Sequence, residues 1–198
     1  ETGKSPIREP GLEELLGKAT GRGLLCATMD ARMAVHETDI SLICVGTPSN
    51  HNGCVNLEFV ERVCSEIGEI LRDKRSYHVV VVRSTVPPGT VQSRLIPILE
   101  RCSGRSAGVD YGVCMNPEFL REGSAIRDYY NPGFTVIGEL DLRSGDTVEC
   151  LYRDIDAQLF RTSIPVAEMT KYVSNTFHAL KTAFSNEIGT LCKNLGVD

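Results

Sequence analysis

The chain has 198 residues, 41% apolar and 24% charged, with a net charge of −5. That length suits one large domain or a domain and a half. Both charge signs are interspersed and no basic block or arm stands out, which argues against a nucleic-acid partner. No apolar run approaches the ~20 residues of a membrane helix, and no secretory signal opens the sequence.

Taken in chain order, Glu9-Pro10-Gly11 reads as a turn and LEELLGKA (12–19) as a short helix. TDISLICVG (38–46) is a near-continuous apolar run ending in Gly-Thr-Pro, as a buried parallel strand does. LEFVERVCSEIGEILRDK (57–74) places Phe59, Val60, Val63, Ile67, Ile70 and Leu71 at helical spacing. YHVVVVRST (77–85) is a second buried strand, and PGTVQSRLIPILERC (88–102) a helix disturbed in its middle by Pro97. YGVCMNP (111–117) and FTVIGE (134–139) are further strands, RSGDTVECLYRDI (143–155) a helix, and QLFRTS (158–163) an edge strand.

Strands alternating with helices predict an α/β fold, a Rossmann-like, mostly parallel sheet with flanking helices. Ligands bind at the carboxyl ends of the strands in such sheets. Those ends are Gly46-Thr47-Pro48, Ser84-Thr85-Val86-Pro87 and Asn116-Pro117-Glu118. Each alone reads as strand-to-loop punctuation; three in successive strands point to one shared ligand-binding rim.

The final segment, 166–196, carries no Pro. Its apolar residues Met169, Val173, Phe177, Leu180, Phe184, Ile188, Leu191 and Leu195 form one continuous stripe. A helix of that length spans roughly 45 Å at ~1.5 Å per residue, which suits a linker between domains or a subunit interface. Gly196 suits its C-terminal cap. On roughly the opposite face lie Lys171, Asn175, His178, Thr182 and Asn186. A plain solvated face is one reading. The other is a binding face, because these groups donate hydrogen bonds to phosphate, sugar hydroxyls or an oxyanion.

Eight cysteines are spread along the chain: Cys26, Cys44, Cys54, Cys64, Cys102, Cys114, Cys150 and Cys192. None forms CxxC and no His lies at ligand spacing from a pair, so no metal site is expected. Several fall inside apolar runs, which predicts mostly buried thiols in a reducing cytosol. The chain begins without Met in a loop and stops just after a helix, and is expected to be part of a longer protein.

Five ordered blocks now carry a resemblance: GKSPIREPGLEELL (3–16), ICVGTPS (43–49), RSTVPPGT (83–90), NPEFLREGSAIRD (116–128) and VAEMTKYVSNTFHALKTAFSNEIG (166–189). Together they resemble the NAD-dependent nucleotide-sugar 6-dehydrogenases, the UDP-glucose and GDP-mannose enzymes, over nearly the whole chain. NTFHALK followed by SNEIG, with His178 inside it, resembles the GDP-mannose branch more closely. The resemblance implies residues 1–163 as the later part of an NAD-binding domain and 164–198 as the start of a middle, dimer-forming region. It places the family's GxGxxG loop before residue 1 and its nucleophilic Cys beyond residue 198, so no cysteine of this chain is that nucleophile.

The family reaction takes a C6 primary alcohol to the acid with two NAD, through a thiohemiacetal and a thioester. By resemblance, Lys171 stabilises or accepts from the alcohol and Asn175 donates to the oxyanion. Glu118 serves proton transfer and hydrolysis. Thr85 touches the nicotinamide end of NAD or the catalytic water, and Thr47 touches NAD at the neighbouring strand end. Glu122 lies between nicotinamide and sugar, and His178 and Asn186 bind the sugar nucleotide. Without the family, Glu118 reads as a helix-start acid and His178 as a structural His. The implied partners are GDP-mannose or UDP-glucose and a second copy of the chain, in the cytoplasm. A rival of another class is a non-catalytic chain that binds sugar nucleotide or assembles through the long helix.

Overall fold

The computed structural model describes residue 5 and residues 7–197. Five strands form one sheet in the order β1-β2-β3-β4-β5: β1 Ile40–Ile43, β2 Val79–Val82, β3 Gly112–Met115, β4 Thr135–Glu139 and β5 Leu159–Ser163. The helices are α1 Leu12–Gly21, α2 Ala31–His36, α3 Glu58–Leu71, α4 Ile96–Ser103, α5 Ala125–Tyr130, α6 Leu142–Glu149 and α7 Ile164–Leu195. The mostly parallel α/β architecture expected from the sequence is what forms.

The central strands are buried end to end. Alternate residues of β2 face two layers: Val80 and Val82 pack with α3 and α4 (Val60, Leu71, Leu99), while Val79 and Val81 pack with Val148 of α6. That two-sided burial explains the unbroken VVVV run. Of the predicted α3 stripe, Val60, Ile67, Ile70 and Leu71 are buried, Val63 is partly buried and Phe59 turns out to solvent beside Arg62, while Cys64 joins the buried face. Helix 88–102 divides: Val91–Leu95 is a π-helical turn and α4 follows with Pro97 in its first turn. The widened turn ends where Pro97 has no N–H to give.

One pairing departs from a uniformly parallel reading. β4 runs antiparallel to β3, while β4 and β5 are parallel to each other. No helix crosses the sheet between Met115 and Thr135. The short α5 buries none of its residues, so β4 starts beside the end of β3. The carboxyl rim of β1 to β3 is therefore shared with the start of β4.

Two helices escaped the sequence reading. α2 opens on Asp30, whose carboxylate accepts from Met33 N–H at 3.0 Å. Its far end is closed by Lys74, whose buried ammonium donates to the carbonyls of Val35, His36 and Thr38, each at 2.9 Å. His78 continues this seam: Nδ1 donates to Thr38 O at 3.0 Å and Nε2 accepts from Ser41 Oγ at 2.9 Å. Burial lowers its pKa and keeps the ring neutral. The other unforeseen helix, α5, is closed by the carboxylate of Glu9, far away in the chain.

The cysteines need a correction. All eight are free thiols, but only Cys64 and Cys114 are buried; Cys26, Cys44, Cys54 and Cys150 are exposed. Cys44 sits one residue past β1, which pairs on one side only among the described residues, and Leu42 within it is 47% exposed. An apolar run predicts burial only where both flanks are covered.

α7 has two halves. Ile164 and Ala167 join the main core, and Glu168 and Lys171 are buried beside it. Ala167 lies so close to β4 that a Cβ on Gly138 would stand 2.6 Å from its own Cβ. From Val173 onward every apolar stripe residue is exposed, and the helix ends at Gly196 with φ 64°. At 32 residues it reaches about 48 Å, much of it clear of the sheet. Among the described residues no helix is long and apolar enough to cross a membrane.

Candidate active site

The first turns of α7 run towards the rim because Glu168 holds them there. Its carboxylate, fully buried, accepts the backbone N–H of Gly89 at 2.5 Å and of Val91 at 2.9 Å. Burial raises its pKa against the opposing pull of those two amides. One helical turn is 3.6 residues, so Lys171 emerges on the same side.

Lys171 meets the loop after β3. Its ammonium, on a residue only 6% exposed, donates to Glu118 Oε1 at 2.9 Å and to the Glu118 carbonyl, and lies 5.4 Å from the centre of the Phe119 ring. The other oxygen of Glu118 accepts from Leu120 N–H at 2.6 Å. Upstream, Asn116 fixes the loop's origin: its Nδ2 donates to Val136 O at 2.8 Å, tying β3 to β4. Glu118 is therefore aimed from a rigid strand end and paired with a cation on a rigid helix.

A cleft of about 310 Å³ opens over this pair. Glu118, Lys171, Asn175 and His178 line it together. Thr47 and Thr85 do not line it. They stand on the neighbouring strand ends, where Thr47 Oγ1 donates to Thr85 O at 2.8 Å. Glu122 lies on an exposed turn outside the cleft wall, and Asn186 is exposed on the protruding half of α7. The polar stripe thus splits, its first members in the cleft and Thr182 and Asn186 beyond it.

Three features of the site carried no local signal in the sequence. Arg83 lines the cleft, with Nη1 donating to Asn116 Oδ1 at 2.6 Å and to Tyr152 OH at 3.0 Å; Tyr152 in turn donates to Asn116 Oδ1. Arg121 and Asp128 clasp the loop, through the guanidinium at 2.7 and 2.9 Å and the Arg121 backbone N–H at 3.2 Å, and Ser124 adds a fourth bond to Asp128. Those partners hold the Asp128 carboxyl well below the usual range, so the clasp persists at neutral pH and loosens only in strong acid. Glu9, ahead of α1, accepts the N–H groups of Gly123 and Ala125, each at 2.8 Å, and so caps α5 from 116 residues away. The EPGL turn was legible as a turn; its grip on the acid-bearing loop was not.

The rim residues present fit a dinucleotide's approach to β1 and β2. Gly46 leaves open space where a side chain would stand, and Thr47 and Thr85 offer hydroxyls beside it.

An open α/β sheet with a polar cleft at its carboxyl rim and a long exit helix defines the chain as Rossmann-like. Family models match in order along it: the NAD binding domain of the UDP-glucose/GDP-mannose dehydrogenase family over residues 1–156 and the central domain over 165–198. The chain belongs to the UDP-glucose/GDP-mannose dehydrogenase family. It is 58% identical over 196 residues to a GDP-mannose 6-dehydrogenase of Pseudomonas syringae pv. tomato, covering 99% of this chain and 45% of that protein. A UDP-glucose 6-dehydrogenase of Bacillus subtilis is 41% identical, with 99% and 43% covered. Among solved structures, a ternary complex of the Pseudomonas aeruginosa GDP-mannose dehydrogenase superimposes with a TM-score of 0.97 at 55% identity, covering 99% of this chain and 45% of that one. The chain spans about half the length of the relatives it matches.

Glu168→Gln is expected to destabilise the whole protein by about 1–3 kcal/mol, because an amide turns one donor towards a buried N–H. Denaturant unfolding measures it; an unchanged midpoint removes Glu168 from its anchoring role.

Proposed function

We propose that the chain is the NAD-binding and helix-linker half of a GDP-mannose 6-dehydrogenase, which oxidises the C6 alcohol of GDP-mannose to the uronic acid. The Glu118–Lys171 pair in a cleft shared with Asn175 and His178 carries this reading. The higher identity to GDP-mannose enzymes than to the UDP-glucose enzyme supports the choice of sugar nucleotide.

The chemistry asks for a base and cation at the alcohol, a donor at the developing oxyanion, and an acid–base group for hydrolysis. Lys171 suits the alcohol as the cation beside it, its ammonium held in place by the Glu118 carboxylate. That carboxylate is the base that accepts the alcohol's proton, while the Lys171 ammonium stays charged beside the oxygen. Asn175, one turn on, donates its amide to the oxyanion. Glu118 keeps a lone pair for the water that hydrolysis needs. His178 binds the sugar nucleotide, joined by Asn186 and Glu122 once the remainder of the protein covers them. NAD, when bound, would supply the hydride acceptor; Thr85 and Glu122 would hold its nicotinamide end and Thr47 would touch it at the neighbouring strand end.

Residues 1–163 serve as the nucleotide domain and 164–198 as the start of the central region. The exposed stripe from Val173 to Leu195 supports packing against the same helix of a second copy. Sedimentation velocity of the whole protein checks that association, and a monomer rules it out. Eight free thiols support a reducing, cytoplasmic setting.

Purified whole protein assayed separately with GDP-mannose and UDP-glucose is expected to form two NADH per sugar on GDP-mannose; activity on neither overturns the reading. Lys171→Ala is expected to lower kcat by about 10²–10⁴-fold while the NAD KM changes little. A change confined to NAD binding would take Lys171 out of the chemistry.

A further inference from the structure

The loop that carries Glu118 has no core of its own. Within this chain no residue from Glu118 to Phe134 is buried, and α5 inside that stretch buries none of its side chains. Yet Glu118, Leu120, Arg121 and Tyr129 all line the cleft. Their placing therefore rests on polar contacts. Among the described residues, hydrogen bonds from outside reach this loop in two places. Lys171 holds Glu118 at one end. Glu9 holds the middle, accepting from Gly123 N–H with Oε2 and from Ala125 N–H with Oε1, each at 2.8 Å. The Arg121–Asp128 clasp joins two residues of the loop itself, so it fixes shape and not position.

The Glu9 contact is built from both sides. Glu9 is half-buried, and its carbonyl accepts from Leu12 N–H at 3.1 Å, which ties it to the first turn of α1. Gly11, at φ 83°, lets the chain turn straight into that helix, and a Cβ there would stand 3.9 Å from Ile126 Cγ2 of α5. Across the contact, Gly123 at φ 79° adopts a left-handed conformation that side chains strain against. One carboxylate thus accepts two backbone N–H groups with both oxygens, and bonds to an ionised acceptor are the stronger kind.

Resting on the proposed function, we propose that Glu9 is a positioning residue for the oxidation. By tethering the loop to α1 it sets where Glu118 and the cleft wall from Leu120 to Tyr129 stand when the sugar nucleotide is bound. Glu9 touches no reacting atom, since both of its oxygens are spent on the loop. Without it the loop is pinned at Glu118 alone and swings about that point. Each binding event then has to order the wall again, and small displacements of a positioned group are costly in rate. Thr47 and Thr85, on the ends of the neighbouring strands, are bonded to each other and not to this loop, so the cofactor side is affected least.

The test compares the whole protein as wild type, Glu9→Gln and Glu9→Ala, by backbone hydrogen exchange and by steady-state kinetics on the sugar nucleotide it oxidises. Glu9→Ala removes both acceptors; Glu9→Gln keeps one and turns an amide donor towards the other N–H. In Glu9→Ala, exchange over residues 119–131 is expected to be at least about tenfold faster, with β2 and β3 unchanged. The KM for the sugar nucleotide is expected to rise at least about threefold and kcat to fall about tenfold, while the NAD KM changes by less than about twofold. Glu9→Gln is expected to fall between wild type and Glu9→Ala on each readout. A purely structural role reduces the folded fraction, which lowers kcat and leaves both KM values alone; that pattern overturns the proposal. So does faster exchange with unchanged kinetics, or unchanged exchange. If Glu9→Ala does not fold, Glu9→Gln decides on the same readouts, and failure of both to fold assigns Glu9 to the fold and overturns the proposal. Wild type that oxidises neither GDP-mannose nor UDP-glucose refutes the proposed function, an outcome separate from the exchange comparison.

Discussion

The site depends on one buried carboxylate that is not in the cleft. Glu168 takes two backbone N–H groups from the loop between β2 and α4, and so fixes the first turns of α7 over the rim. Without that anchor, Lys171 has no fixed approach to Glu118. The anchoring is also steric: Gly138 on β4 leaves room for Ala167, and a side chain there would push the helix away. Small residues on the sheet and a charged one on the helix thus set one geometry together, close enough for an ammonium one turn later to reach a strand-end acid.

The antiparallel entry of β4 matters to the same geometry. Because β4 starts at the rim where β3 ends, the segment between them never leaves that rim. It carries Glu118, is clasped by Arg121 and Asp128, and is tethered by Glu9 through backbone N–H groups. A crossover helix in its place would have carried the acids away from the strand end. Instead the chain spends these residues on a loop held at both ends, which restricts Glu118 to a narrow range of positions and lowers the entropy lost when a ligand arrives.

Much of this was legible in the sequence, for a physical reason. Unbroken β-branched runs such as VVVV at 79–82 are buried on two faces and have few alternatives. The stripe from Met169 to Leu195 repeats too regularly for anything but a helix, and its ordered motifs carried the resemblance that pointed to Glu118, Lys171, Asn175 and His178. What stayed hidden was non-local. Helices α2 and α5 are too short to show periodicity, and are completed by Lys74 and Glu9 from 39 and 116 residues away. Cys44 is exposed here because β1 is paired on one side only within this chain, which spans about half the length of its relatives. The packing of Phe59 was misjudged because its spacing alone does not decide which side of the stripe's border it falls on.

The same non-local logic governs charge. Lysine and arginine look alike in a sequence window, yet the cleft treats its three cations differently. Lys171 and Arg121 are each paired with a carboxylate within 2.9 Å, so both are held in a fixed position. Arg83 is braced by two neutral groups and keeps its field in the cleft. A Coulomb interaction weakens with distance and is screened by water, so an uncompensated charge in a half-enclosed, small cleft acts mainly on what is bound there. Pairing therefore sets geometry as well as field: the Glu118–Lys171 contact joins the loop after β3 to α7, and Arg83 joins the end of β2 to Asn116 and Tyr152.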